Sequence, residues 1–205
     1  MLRHRKRDIA VAIGAAALAG FVDATGFLSL GGFFVSFMSG NSTRLAVGLA
    51  GIPAEALIAG RLIGCFVLGV IAGSLIGAAA RRMRRPVVLL LVALLVAVGA
   101  MLAGTSEDLA VLFVAAAMGA ENTTFERDGE VSIGLTYMTG TLVKLGQRLA
   151  GAIVGGPKLA WAPYLMLWLG LVGGALTGAG VWPLFGLSGL WIAVVGAVML
   201  AGASW

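Results

Sequence analysis

"FMSGNSTRLAVGL" occupies Phe37 to Leu49 and "YMTGTLVKLGQRL" occupies Tyr137 to Leu149. The two stretches lie one hundred residues apart in a chain of 205. Each runs Met, small hydroxyl residue, Gly, polar residue, and then a cation six places after the Met, so that Met38, Gly40 and Arg44 match Met138, Gly140 and Lys144. Repetition at a fixed offset is the sequence mark of a duplicated structural unit. The question is what kind of unit repeats a polar motif inside so apolar a chain.

The chain is 60% hydrophobic and 11% charged, with a mean hydropathy of +1.04. A soluble domain of this length carries far more charge on its surface. Apolar runs cover 8–29, 54–79, 86–104, 108–126, 158–180 and 183–203. They match the roughly 20 residues a helix needs to cross the bilayer core, and in lipid they must be helices because each backbone N–H and C=O needs an internal partner. The spacing predicts an all-α polytopic membrane protein, a single membrane domain over 1–205. The motifs fall in two Gly-rich stretches, 30–53 and 127–157, each ending near a proline (Pro53, Pro157). The lone Cys65 has no partner for an internal disulfide and lies in an apolar run, as a buried inert thiol does. No cleavable signal peptide is expected after "LRHRKR".

Charge sets the expected topology. "RHRKR" precedes the first apolar segment and "RRMRR" follows the second. The positive-inside rule places both on the cytoplasmic side. An even number of crossings must separate them, so 30–53 enters and leaves on the outer side as a re-entrant hairpin. The acidic "TSED" then lies outside, 127–157 forms a second hairpin from the inside, and both termini are cytoplasmic. Of the fourteen basic residues, only Arg44 and Arg61 belong to the outer half. The expectation is six transmembrane helices plus two re-entrant half-helix hairpins, arranged as an inverted repeat of 8–104 and 108–203. Eight full crossings is the rival. Inverted repeats with broken helices place a site near the membrane midplane.

The candidate site follows from the motifs. Ser39 or Asn41, and Thr139 or Thr141, have the chemistry of helix N-caps, and Gly40 and Gly140 permit close backbone approach. Two half-helices starting inside the membrane would aim free N–H groups and positive dipole ends at a common centre, a site for anionic or carbonyl-bearing groups. Arg44 and Lys144 are either ligand-facing or snorkel along their stems to the interface, the better reading for Arg61. Asp23 in "GFVDATGF" has two readings, a structural partner of Arg44 or Lys144 or a proton- or cation-coupling group. Glu121 and Asn122 in "GAENTTF" stand at equivalent depth, with Asp23 opposite Asn122 or Thr123. "ERDGE", Glu126 to Glu130, reads as a solvated turn. Gly69, Gly73 and Gly77, matched by Gly170, Gly174 and Gly178, predict close helix packing without chemistry. Tyr137 adjoins Thr139, whereas the tryptophans read as interface anchors.

An enzyme is not expected. "GLSG", Gly186 to Gly189, has the form found around an intramembrane protease serine, but the only histidine is His4, in the basic tail. No Walker loop, His/Cys metal cluster or dinucleotide fingerprint occurs, so neither cofactor nor metal is expected. The positive net charge of +5 reports topology rather than nucleic-acid binding.

"GFVDATGFLSLGGFFVSFMSGN" together with "AMGAENTTFERDGE" and "GLTYMTGTLVKLGQ" resembles the YoaK family of bacterial inner-membrane proteins, over nearly the whole chain. The resemblance implies a multi-pass protein of the bacterial cytoplasmic membrane and no established substrate. The positions that match its motifs are Asp23, Ser39, Gly40, Asn41, Asn122, Tyr137, Thr139, Gly140 and Thr141. Glu121 and Arg44 depart from the pattern, in place of Gln and an apolar residue.

These readings converge on a small-solute membrane transporter with a central site between the repeats. Ser39, Gly40, Asn41, Arg44, Asn122, Tyr137, Thr139, Gly140, Thr141 and Lys144 are its expected binding residues, and Asp23 and Glu121 its coupling residues. An anionic or zwitterionic solute and the lipid bilayer are the expected partners, with a homo-oligomer open. A passive aquaporin-like channel and a non-transporting scaffold held by glycine packing are the rival readings.

Overall fold

The computed structural model describes residues 6–127 and 130–205. His4 and most of "RHRKR" lie outside the described residues, as do Asp128 and Gly129 of "ERDGE". Among the described residues eight α-helices follow one another: α1 (Lys6–Ser29), α2 (Met38–Gly51), α3 (Pro53–Ala80), α4 (Arg84–Leu102), α5 (Glu107–Glu121), α6 (Met138–Ile153), α7 (Ala162–Phe185) and α8 (Leu190–Ala203). One short antiparallel pair, β1 (Glu126–Arg127) with β2 (Glu130–Val131), interrupts them after α5.

Local chemistry explains the boundaries. Ile52 alone separates α2 from α3, and Pro53 opens α3 at the position where a missing N–H costs nothing. Ser106 caps α5 by accepting from the Leu109 N–H at 3.4 Å, with Glu107 and Asp108 in the first turn. Among the described residues three continuous helical stretches are long and apolar enough to cross a membrane: Arg7–Ser29, Pro53–Leu102 and Ala162–Ala203. Run straight, the second and third would reach about 75 and 63 Å at ~1.5 Å per residue, twice the bilayer core. Each instead breaks at a left-handed residue, Arg81 (φ 48°) and Gly186 (φ 51°), through a short 3-10 turn. The expected break between 180 and 183 moves on to Gly186, because α7 holds Pro183 within its last turn and Gly186 makes the reversal. The expected segment 108–126 also shortens, since the helix ends at Glu121 and Asn122 to Phe125 turn out of it.

The two halves of the chain are interleaved. α1 packs along α7 and α3 along α5; α4 lies against α5 and α8; α2 folds back on α3, and α6 on α7. Exchanging α1 with α5, α2 with α6, α3 with α7 and α4 with α8 maps these pairings onto one another once the contact of α1 with α8, the counterpart of α4 with α5, is included. Neither half therefore has a core of its own.

Glycine makes the closest crossings. A Cβ on Gly69 would lie 1.9 Å from the Ala116 carbonyl oxygen, and one on Gly174 would lie 1.9 Å from that of Ala17. The contact is reciprocal: Gly119 meets the Phe66 oxygen and Gly20 the Leu171 oxygen, each at 2.0 Å. Backbone thus touches backbone where α3 crosses α5 and where α7 crosses α1. These glycines fix the repeat register, with Gly20 matching Gly119, so Asp23 matches Asn122 and Val22 matches Glu121.

Ion pairs mark the two ends of the bundle. At one end the Arg7 guanidinium donates to the Ala203 carbonyl at 2.8 and 2.9 Å, Arg85 pairs with Asp8, and Arg84 pairs with Glu126 at 3.1 Å. The start of α1, the end of α8 and "RRMRR" therefore share one end. At the other, Arg61 pairs with Asp108 and Arg44 with Glu55, both at 3.6 Å. Two expectations change here. Arg61 finds a carboxylate instead of merely snorkelling. Glu126 is no solvated turn residue: it is largely buried, takes both guanidinium nitrogens of Arg84 and accepts from the Ser74 hydroxyl at 2.7 Å.

Candidate functional site: the cleft between two helix tips

Each repeated motif forms the same sharp entry into a helix. Phe37 (φ −90°, ψ 75°) and Tyr137 (φ −81°, ψ 55°) precede α2 and α6 with the dihedrals of an inverse γ-turn. The Met38 N–H donates to the Ser36 carbonyl at 3.1 Å, and the Met138 N–H to the Thr136 carbonyl at 2.9 Å, closing that turn. Neither helix has a side-chain cap. The expectation that Ser39, Asn41, Thr139 or Thr141 caps its helix is thus corrected. A γ-turn brings the extended chain into the helix so abruptly that these side chains already lie within the first turn.

The approach to each tip is pinned from a long helix. Asp23 of α1 accepts the N–H groups of Val35 and Ser36 on one oxygen, at 2.9 and 2.8 Å. Asn41 accepts the Phe34 N–H at 3.0 Å and returns a bond from Nδ2 to the Phe34 carbonyl at 2.6 Å. In the second half Asn122 accepts from the Thr136 hydroxyl at 3.1 Å and donates to the Met118 carbonyl at 2.9 Å. Asp23 and Asn122, at matched positions, thus hold matched segments, the one by backbone and the other by a side chain.

The two tips open on one cleft of about 360 Å³. Ser36, Phe37, Met38 and Ser39 line it from one motif, Thr136 to Gly140 from the other, and Phe66 of α3 from the side. Phe66 is the fourteenth of the 28 residues of α3. The tip of α2 therefore lies halfway along α3, although the two helices join at Ile52. Among the described residues, the first-turn amides of Ser39, Thr139 and Gly140 take no hydrogen bond. Each helix contributes roughly half a positive charge at this end. Unpaired N–H groups beside that charge receive carboxylate, phosphate or carbonyl oxygens.

The expected site residues divide on this geometry. Ser39, Tyr137, Thr139 and Gly140 come together at the cleft. Gly40, Asn41, Arg44, Asn122, Thr141 and Lys144 do not line it. Gly40 packs against the rings of Phe34 and Phe37, where a Cβ would meet them at 2.8–3.0 Å. Arg44 stacks over the Phe33 ring at 4.4 Å and pairs with Glu55. Lys144 borders a small separate cavity with Thr141 and Tyr164. Asp23 bonds to backbone N–H groups instead of a cation, and edges another cavity, of about 270 Å³, beside Phe27 and Phe34. Glu121 is fully buried away from the cleft. Ser36, Phe37, Met38, Thr136, Met138 and Phe66 were not anticipated. Met38 and Met138 already open the repeated motif, and Ser36, Phe37 and Thr136 extend it two places upstream, so the signal was present in the pairs Ser36/Thr136 and Phe37/Tyr137. No group of three or more metal-ligating side chains occurs among the described residues.

Comparisons with known proteins bear on the whole chain. The family described as "Protein of unknown function (DUF1275)" matches residues 11–203. A UPF0700 transmembrane protein of Rhizobium meliloti is 36% identical, over 100% of this chain and 90% of the relative's length. No solved structure matches.

Proposed function

We propose, for a chain that belongs to the DUF1275 family and is a helical membrane protein, that it moves a small solute across the bacterial cytoplasmic membrane through the cleft between the tips of α2 and α6. In this reading α1, α3, α4, α5, α7 and α8 cross the bilayer. The segments 30–51 and 122–153 are re-entrant hairpins from opposite sides, and the two halves form an inverted repeat. The end bearing "RRMRR" and both termini faces the cytoplasm.

One observation carries the reading: two helix N-termini without side-chain caps meet across a single cleft, halfway along a spanning helix. Irregular backbone at such depth is tolerated only inside protein or beside water. Free amides and dipole ends favour a solute with anionic or carbonyl oxygens, and the hydroxyls of Ser36, Ser39, Thr136 and Thr139 add adaptable partners. A passive pore is the second reading. It is favoured by the lining itself, in which no side chain carries a formal charge.

Gly140 offers the test. It lines the cleft, and a Cβ there would meet no atom within 4 Å. Gly140→Leu should leave folding intact, since Leu is also the better helix former, while its side chain fills the passage. The expected result in proteoliposomes, across a panel of small anions, zwitterions and neutral solutes, is loss of whatever flux the wild type shows. Undiminished flux in a folded Gly140→Leu variant sinks the cleft as the path. Accumulation driven by an imposed proton gradient marks a transporter, and flux indifferent to it marks a pore.

A further inference from the structure

Two carboxyl groups lie deep in the helical bundle, and their surroundings differ. Asp23 accepts two backbone N–H groups. Glu121 is 0% exposed, and both of its carboxyl oxygens lack a hydrogen-bond partner. Thr124, whose N–H donates to the Glu121 carbonyl at 3.0 Å, also has a buried hydroxyl without a partner. Glu121 is the last residue of α5, at the negative end of the helix dipole, which disfavours an anion there. Charged groups on neighbouring elements are engaged elsewhere. Arg84 of α4 reaches the Thr123 carbonyl at 3.4 Å but pairs with Glu126, and Asp23 of α1 holds Val35 and Ser36. The repeat-related residue is Val22, so the bundle needs no polar group at this position. A carboxylate with neither partner nor water is among the costliest groups a protein interior can hold, whereas the neutral acid is far cheaper.

We propose that Glu121 is a proton-binding site in the membrane interior, protonated at rest and releasing its proton as solute moves, while Asp23 is a fixed structural anion. The second half of the proposal rests on the transport reading above; the first half does not.

Dicyclohexylcarbodiimide separates the two groups, because it enters lipid and reacts with the neutral acid. The acid O–H adds across one C=N bond: oxygen bonds to the central carbon and the proton goes to nitrogen. The acyl group then migrates from oxygen to nitrogen, leaving an N-acylurea with nothing expelled. The purified full chain in detergent is treated and its peptides are mapped by mass spectrometry. One adduct per chain is expected, on Glu121, retained in Asp23→Asn and absent from Glu121→Gln. Its rate should fall as pH rises and the reactive acid gives way to its carboxylate. An adduct on Asp23 with Glu121 untouched overturns the assignment, as does a Glu121 that stays unmodified at every pH. Protection by sodium at constant pH overturns it in favour of a metal cation.

In proteoliposomes, Glu121→Gln should abolish accumulation driven by a proton gradient while leaving solute exchange without a gradient. Gradient-driven accumulation that survives the substitution overturns the coupling role. If Glu121 labels as expected but no solute moves in the wild type, the transport reading fails and the proton site stands.

Discussion

Gly174 sets the distance between α1 and α7. A Cβ built on it lies 1.9 Å from the Ala17 carbonyl oxygen and 2.6 Å from the carbonyl carbon. Real Cβ atoms essentially never approach closer than 3.0 Å, so Gly174→Ala requires α1 and α7 to part by at least 1.1 Å (3.0 minus 1.9) at this crossing. The obstacle is backbone inside a helix and cannot rotate away. Gly173→Ala is the internal control, since nothing lies within 4 Å of its Cβ. Both substitutions gain about 0.8–1 kcal/mol of helix propensity. Only Gly174→Ala also meets an overpacking cost of about 1–3 kcal/mol, or more. The gap between the variants is that cost, read as a difference of roughly 2–4 °C in melting temperature per kcal/mol for a chain of this size. The assay is heating in mild detergent followed by fluorescence-detected size exclusion. Gly69→Ala against Gly64→Ala repeats it in the other half, because Gly69 meets the Ala116 oxygen at 1.9 Å and Gly64 meets nothing. Equal melting of Gly174→Ala and Gly173→Ala would refute the close crossing. With it would fall the chain of contacts by which α1, through Asp23, positions the tip of α2.

Asn41→Ala removes both bonds to the Phe34 backbone and leaves its N–H and C=O unpaired in a half-buried place. A loss of about 1–3 kcal/mol is expected, with a larger fractional loss of flux than of folded protein; a melting temperature equal to wild type contradicts this. Glu121→Met removes two orphaned oxygens and retains the bulk of the side chain. It should stabilise the chain by about 1–3 kcal/mol, whereas a drop in melting temperature would mean that Glu121 has a partner in solution.

The membrane fold was legible because the solvent constrains it so strongly. A long apolar run in lipid has only the helix available, and the motif at Met38, Gly40 and Arg44 recurs one hundred residues on at Met138, Gly140 and Lys144; the glycine ladders pair in another register, with Gly69 and Gly174 making the like contacts. The partners of charged groups were not legible. Asp23 and Arg44 looked complementary by depth, but Arg44 meets Glu55 across a one-residue helical hairpin, and Asp23 is satisfied by the N–H groups of Val35 and Ser36. Backbone donors are written identically at every residue, so no pattern of side chains reveals which of them a buried carboxylate will take. The entry into α2 and α6 was misread for a related reason. Phe37 and Tyr137 are poor caps by residue type, and a γ-turn is selected there by tertiary anchoring of the preceding segment. What repeats and what does not then acquires a meaning. Gly20/Gly119, Ser36/Thr136 and Ser39/Thr139 keep their chemistry across the halves and build the two close crossings and the two tips. Val22/Glu121 breaks the pairing at a position where an apolar residue suffices for packing. Among the described residues, the one buried acid whose carboxyl oxygens lack a partner lies where the two halves differ, which is where the proposed proton site needs no counterpart.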